Sequence, residues 1–495
     1  MYTLTRFLFF FLLCFFVKSQ ELTGIILDET NNTPIPFSSV YLKSGKGVVS
    51  NEEGRFRLNI SSVNINDSLF ISCMGYETLR LLNYNISDSI FYLSPKTIEL
   101  KSIILSSNDF NVDEIIKEIQ KNVKDKYELG ITKKNMFLRE TGSQKFKKLE
   151  IKIKKTSISE FNQKFWDSTL IRIPRYNEWY FELLGNLIGN YSNEKQKLEL
   201  VKALELEDKE KTAIFENIEK LFDTILNKNI KTNSFFKVRS GIIGGKVQAD
   251  EMVKNPNDTI SEEQKIQNKK DDFLKWRKRV LSNLITGLFD EDKLDLSIIR
   301  KAYKYKFIES NFTYLGETPV YIFDFVPTGN ADYKGKIYID ADKLALIRLE
   351  YKNIHPIRDF SMFGVSFKED FREVVIQFKK LNTGKYVLEF LDFNSSFEGG
   401  FERPLVITEK NKIVKGRNKQ NQLKMDLNVV NRNTQRFQLV VFETELMENN
   451  IFDKIDEKGS LLPVNKTSYD PDFWKGYSII EPNKAIKDLT IENQN

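Results

Sequence analysis

The chain contains one histidine, His355, and two cysteines, Cys14 and Cys73. A zinc hydrolase needs two or three imidazole or carboxylate ligands at short spacing, and a Ser-His-Asp triad needs an imidazole beside its nucleophile. His355 stands alone before Pro356, and no Gly-x-Ser-x-Gly elbow accompanies any serine. Both chemistries are disfavoured, and His355 is expected in a loop. Ser-Lys or paired-carboxylate hydrolysis leaves no local spacing to test. The stretch Arg239-Ser240-Gly241-Ile242-Ile243-Gly244-Gly245-Lys246 invites comparison with a phosphate loop. Such a loop requires four residues between its first Gly and its Gly-Lys, then Ser or Thr. Here three residues separate Gly241 from Gly245, and Val247 follows Lys246, so a glycine-rich turn is expected. Asp340-Ala341-Asp342 could open a calcium loop, but the sixth place is not Gly and Glu350 falls one short of the twelfth. A turn capped by its own Asp side chains accounts for it. No catalytic, cofactor or metal residue is assigned, and the chain reads as a non-enzyme.

Two further stretches carry reactive or sticky side chains. Residues 70–81, FISCMGYETLRL, hold Cys73, which alternation places with Leu69 and Ile71 on one strand face. No basic residue or His lies within six positions to lower its pKa, so an inert filler is expected. Residues 176–184, YNEWYFELL, crowd four aromatics together. They suit a partner groove or lipid-facing patch, with a helix docked on a sheet as the plainer account.

The elements that would position these residues fall into blocks. Residues 20–105 read as short strands with turns every 8–14 residues, a β-sandwich of about seven strands. Asn51-Glu52-Glu53-Gly54 signals a hairpin, with Gly54 supplying the positive φ. Asn111–Tyr127 repeats apolar residues at three and four, an amphipathic helix. Residues 106–300 form a mixed, largely helical region, with one stripe from Ile214 to Leu226. A second stripe through Phe273, Trp276, Leu281, Ile285 and Leu288 follows a capping box at Ser261 and Gln264. Residues 250–272 are polar and read as a mobile loop. Residues 301–445 return to alternating strands, up to eight of them, an antiparallel sheet domain completed by 106–300. Residues 446–495 form a C-terminal tail.

The order Gly24…Pro34-Ile35-Pro36-Phe37-Ser38…Val40, then Asn51-Glu52-Glu53-Gly54-Arg55-Phe56, then Ile71-Ser72…Gly75-Tyr76-Glu77 resembles the carboxypeptidase-like regulatory domain. The resemblance implies a transthyretin-like sandwich, an accessory domain of gram-negative envelope proteins rather than a peptidase. The helix at 111–127 and the Tyr469-Asp470-Pro471-Asp472-Phe473-Trp474 run resemble larger envelope proteins carrying that domain, many of which end in an outer-membrane barrel; this chain is expected to stop before one. Tyr333-Lys334-Gly335-Lys336-Ile337-Tyr338-Ile339-Asp340 resembles a strand pair in the half-barrels of periplasmic lipoprotein carriers. The fold class expected is therefore α+β and multidomain: an N-terminal transthyretin-like β-sandwich, a helical middle segment, and a C-terminal antiparallel curved sheet packed with helices.

Totals set the location and partners. Arg6 precedes an apolar run from Phe7 to Val17, too short to span a membrane as a mature helix. It fits a signal peptide over 1–19, with cleavage before Gln20. Removing it leaves Cys73 without a disulfide partner and 73 basic against 69 acidic residues. Charges are interspersed, so no nucleic-acid partner is expected, and no later segment is long and apolar enough for a transmembrane helix. The function expected is a non-catalytic exported envelope protein that binds or docks a protein partner, periplasmic or outer-membrane associated. The alternatives are a carrier or chaperone for an apolar ligand or lipoprotein, and a hydrolase with an unrecognised carboxylate pair.

Overall fold

A computed structural model describes residues 21–60, 67–82, 90–96, 112–231, 233–241, 243–248, 261–291, 293–411, 413 and 418–488. The expected leader, the end of the sandwich block from 97 to 105, Asn111 and the 250–260 segment lie outside them.

The N-terminal strands are β1 (Glu21–Asp28), β2 (Ser39–Leu42), β3 (Gly47–Val49), β4 (Arg55–Asn59), β5 (Leu69–Ser72), β6 (Leu79–Leu81) and β7 (Ile90–Leu93). They form a sandwich of two sheets, ordered β4-β1-β7 and β3-β2-β5-β6. Alternate residues fill the space between them, among them Leu22, Ile26, Phe56 and Leu58 against Val40 and Ile71. Gly54 does take a positive φ, of 71°. Its turn, however, joins strands of different sheets instead of closing a hairpin. Asn51 Oδ1 accepts the Glu53 and Arg55 amides at 2.9 Å, and a Cβ on Gly54 would lie 2.6 Å from the Ile26 carbonyl.

After α1 (Val112–Gln120) and α2 (Val123–Lys126) come β8 (Thr132–Thr156), α3 (Gln163–Arg172), β9 (Tyr176–Gly189) and β10 (Gln196–Leu206). Then follow α4 (Lys209–Asn229), β11 (Ser234–Ser240), β12 (Ile243–Gln248), α5 (Glu262–Ile285) and a small hairpin of β13 (Phe289–Asp290) and β14 (Lys293–Leu294). The later strands are β15 (Tyr305–Leu315), β16 (Thr318–Pro327), β17 (Tyr333–Asp340), β18 (Ala345–Asn353) and β19 (Arg358–Met362). Last come β20 (Val365–Lys380), β21 (Tyr386–Asn411), β22 (Lys419–Leu446) and β23 (Val464–Lys466).

All but β13 and β14 build one fourteen-stranded sheet, ordered β15-β16-β17-β18-β20-β21-β22-β8-β9-β10-β23, with β11 paired to β21, β12 to β11 and β19 to β20. Period-two alternation sends neighbouring residues to opposite covers. Leu138 and Leu183 meet Ile115 and Ile119 of α1 and Leu281 and Ile285 of α5. Phe137 and Leu184 meet the sandwich and the tail residues Trp474, Ile479 and Ile480. β8, β21 and β22 continue past this base as a distal arm. There Phe161, just before α3, and Ile225 of α4 pack on Leu423 and Met425.

The middle region departs from expectation. Tyr176–Gly189 and Gln196–Leu206 are strands of the sheet, not helix, and they pair beside the strand Thr132–Thr156. YFELLGNLIG is a nearly continuous apolar run, and a strand buried on both faces has no polar alternation to mark it. The aromatic stretch at 176–184 is thus core strand, with Tyr180 and Phe181 buried. The expected loop ends earlier, because α5 starts at Glu262 with Ser261 Oγ accepting the Gln264 amide. Trp276, expected in the buried stripe, is 43% exposed and stacks with Arg277.

Candidate functional site: an apolar cleft under a helix

Three regions bring polar, charged or reactive side chains together. The first is the seam between the sandwich and the sheet. Gln377 Nε2 donates to Glu389 at 2.9 Å and to Ser39 Oγ of β2 at 3.2 Å. Arg348 binds Glu350 at 2.5 Å and donates to Gln377. Arg436 bridges Asp392 of the sheet and Glu52 of the sandwich. The tail locks the other side, with Arg57 on Glu481 at 3.0 Å and the Asn51 amide on the Glu481 carbonyl at 3.0 Å. This seam is a permanent domain interface, because paired buried charges cannot be exposed cheaply.

Cys73 directly follows β5 at this seam, in a cleft of about 240 Å³ beside Phe37, Tyr76, Tyr338 and Arg348. Leu69 and Ile71 are buried as expected, whereas Cys73 is half-buried, one residue beyond the strand. Burial pushes its thiol up; a hydrogen bond with Ser38 and the Arg348 charge pull the other way with less effect. A protonated thiol is a poor nucleophile. Tyr76 donates to Asp28 at 2.8 Å, and burial with that bond pushes its phenol up to about 12.

The second region is a buried cluster of charges. Arg139 and Glu182 are opposite on β8 and β9, and Tyr180 donates to Glu182 at 2.5 Å. Trp474 Nε1 donates to the second Glu182 oxygen, and Arg139 Nη2 reaches the Ile480 carbonyl at 2.8 Å. All four side chains are sealed from solvent, so this cluster holds the tail and meets no substrate. The sequence left one signal for it: a charge inside each of the apolar runs Phe137-Leu138-Arg139 and Phe181-Glu182-Leu183.

The third region faces α5. Arg277 of this helix donates to Glu140 of β8 at 2.7 Å and lies 3.1 Å from the Phe181 ring centre. Ser282 donates to Gln196 at 2.5 Å. These fixed points, with buried Leu274, Leu281 and Ile285, set the helix at a definite height over the sheet. Towards its C-terminal end a cleft of about 430 Å³ opens between helix and sheet. Val280, Leu284, Gly287 and Leu288 line one side; Tyr351, Val374, Ile376, Leu391, Phe393 and Phe437 line the other. Asn283 and Gln435 supply the polar atoms, and none of the lining residues is charged. Its volume lies within the range of small-molecule sites, about 300–1,000 Å³.

A second aromatic group shares this sheet face, separated from the cleft by the Arg372–Glu369 ion pair, whose guanidinium lies 5.5 Å from the Phe393 ring centre. Phe393 and Phe437 rings are 6.4 Å apart, Phe397 and Phe367 5.7 Å, and Phe367 and Phe360 6.2 Å. The register of β21 on β22 is unbroken from Phe390 to Thr408, so Phe393, Phe397 and Phe401 share one face.

The chemically suggestive residues of the sequence are dispersed. His355 lies exposed, its Nδ1 3.2 Å from the Pro356 carbonyl and 3.8 Å from Asp332. Asp340 Oδ1 accepts the Asp342 and Lys343 amides at 2.9 Å, the local turn expected. Gly241 lies in the turn between β11 and β12. Among the described residues no group of three His, Cys, Asp or Glu converges on a metal-sized site, and no helix is long and apolar enough to cross a membrane.

Comparison with known proteins adds one domain assignment. Residues 22–105 match the CarboxypepD_reg-like domain family, which agrees with the resemblance in the N-terminal motifs. No curated protein matches the chain. Among solved structures, the MucA/MucB complex of Pseudomonas aeruginosa aligns at 6% identity over 65% of this chain and 91% of that one. Its TM-score of 0.16 carries no inference.

Proposed function

We propose that this chain is an exported, non-catalytic binding protein of the bacterial envelope that holds an apolar chain in the cleft between α5 and the sheet. The observation that carries the reading is the cleft itself, uncharged along its whole lining. An acyl chain or the apolar side chains of a peptide satisfy such a lining; a charged substrate does not, because nothing there pairs its charge. The non-catalytic part is supported by how the buried carboxylates are used: Glu182 on Arg139, Glu140 on Arg277 and Asp392 on Arg436. The sandwich, whose inner surface is committed to the seam, acts in this reading as a fixed buttress instead of a free docking module. Export rests on the leader-like residues 1–19. Native mass spectrometry of the chain recovered from envelopes tests the proposal. A co-purifying lipid or apolar peptide, on a chain beginning at Gln20, is the expected result. A ligand-free chain retaining residues 1–19 would overturn it.

A further inference from the structure

The seam between sandwich and sheet is held at separate points. Ser39 of β2 anchors one of them through Gln377 and Glu389, and the Gly75 amide meets the Tyr314 carbonyl of β15 at 3.3 Å at another. The 240 Å³ cleft beside Cys73 opens between these anchors, since its lining includes Ser39 and Gln377 together with Met74 and Leu315. Its floor is a cross-strand row of the sheet: Tyr338 on β17, Arg348 on β18 and Gln377 on β20. Glu350, two residues along β18, shares that face.

The floor keeps hydrogen-bonding capacity in reserve. Arg348 bonds Glu350 through Nε at 2.5 Å and Gln377 through Nη1. Among the described residues, no hydrogen bond reaches Arg348 Nη2, Glu350 Oε2 or the Tyr338 hydroxyl, and none of these atoms is sealed from solvent. The neighbouring Lys336 is paired with Asp324 at 3.0 Å, so the floor presents one cation and one anion, in contact. The hydroxyls on the sandwich side are already used: Ser39 on Glu389, Ser72 with Tyr41, and Tyr76 on Asp28. What the sandwich offers the cleft is otherwise apolar, chiefly Pro34, Ile35, Phe37 and Met74.

Phe37 is an independent sign of a site. Its φ of 55° is left-handed, a conformation that an aromatic residue rarely adopts. Backbone strain of this kind collects where a binding site must fix a side chain. Here it accompanies a ring stacked on Phe390, 5.2 Å between centres, and 5.6 Å from the Arg348 guanidinium carbon.

We propose that this cleft binds a free α-amino acid with an apolar side chain. The volume lies below the range of drug-sized sites, so the ligand is small. A lone charge would meet its like as well as its opposite in the Arg348–Glu350 pair, whereas a zwitterion meets both correctly. Its carboxylate takes Arg348 Nη2 and the Tyr338 hydroxyl, its ammonium takes Glu350 Oε2, and its side chain lies against the apolar sandwich wall. A sugar would leave hydroxyls unpaired on that wall. A peptide carries its ammonium and carboxylate on different residues. The cleft is separate from the one under α5 and does not depend on it.

Alkylation of Cys73 in the full mature chain at pH 8 reports occupancy, because the thiol lines the cleft. The probes are L-leucine, L-methionine and L-phenylalanine; the controls are 4-methylpentanoate, 3-methylbutylamine, leucyl-leucine and glucose. At least one of the amino acids should slow alkylation saturably and raise the melting temperature, and no control should match it. Tyr338→Phe should weaken that amino acid's binding by about fivefold. Glu350→Gln should weaken it by about tenfold or more and make 4-methylpentanoate the better ligand, a reversal that a folding defect does not produce. Protection by none of the three amino acids, equal protection of the wild type by any control, or wild-type affinity in both variants would overturn the proposal.

Discussion

Arg139 and Glu182 face one another across β8 and β9 with guanidinium and carboxylate 2.7 Å apart, and neither side chain reaches water. The same carboxylate holds Trp474, so a single ion pair ties two central strands to the C-terminal tail. Removing one partner leaves the other charged and buried. Glu182→Leu is expected to cost about 3–5 kcal/mol in denaturant unfolding. Arg139→Met combined with Glu182→Leu is expected to recover much of that loss, and a double variant as unstable as the single one would contradict the assignment.

Lys134 gives a pH signature. Its ammonium is buried, donates to the Gly189 carbonyl at 3.1 Å, and is pushed down by burial to about 8. Between that value and the ordinary lysine pKa the unfolded chain binds more protons, so this group makes stability rise with pH. The contribution is on the order of 3 kcal/mol at most. Denaturant curves at pH 7 and 9.5 should show the gain in wild type relative to Lys134→Met. A parallel change in both would refute it.

Cys73 should react slowly. Its withdrawn thiol is expected to lag a free cysteine in alkylation at pH 8 and to approach it only at higher pH. Arg348→Met removes a cation that partly offsets burial, and is expected to slow the reaction further. A free-cysteine rate at pH 8 would contradict the packing of the seam.

Gly54→Ala combines a positive φ with a Cβ 2.6 Å from the Ile26 carbonyl. A loss of about 1–3 kcal/mol is expected in thermal unfolding, and an unchanged melting temperature would refute it.

Legibility in the sequence followed period and punctuation. TPVYIFDFVP, dense in β-branched and aromatic residues, forms β16 residue for residue, and Asn382-Thr383-Gly384 turns β20 into β21. Ser261 announced α5. The sandwich was readable because its turns carry Gly, Asn and Pro in a recognisable order. β9 was not, since a doubly covered strand has the uniform apolarity of a buried helix. The distal halves of β21 and β22 escaped because Asn394-Ser395-Ser396 and Asn431-Arg432-Asn433 are polar on both faces. The cleft was illegible for a different reason. Its lining runs from Val280 to Phe437 and draws on four strands that are far apart in the chain. Only the strand order, which places β18, β20, β21 and β22 side by side under α5, assembles it.

The most direct test of the binding account uses Gly287, which lines the cleft and has open space where a Cβ would stand. Gly287→Phe should fill the cleft without disturbing the core. Titration with a fluorescent fatty-acid probe should show saturable binding by wild type and none by Gly287→Phe at an equal melting temperature. Equal binding by both proteins, or no binding by either, would contradict the account.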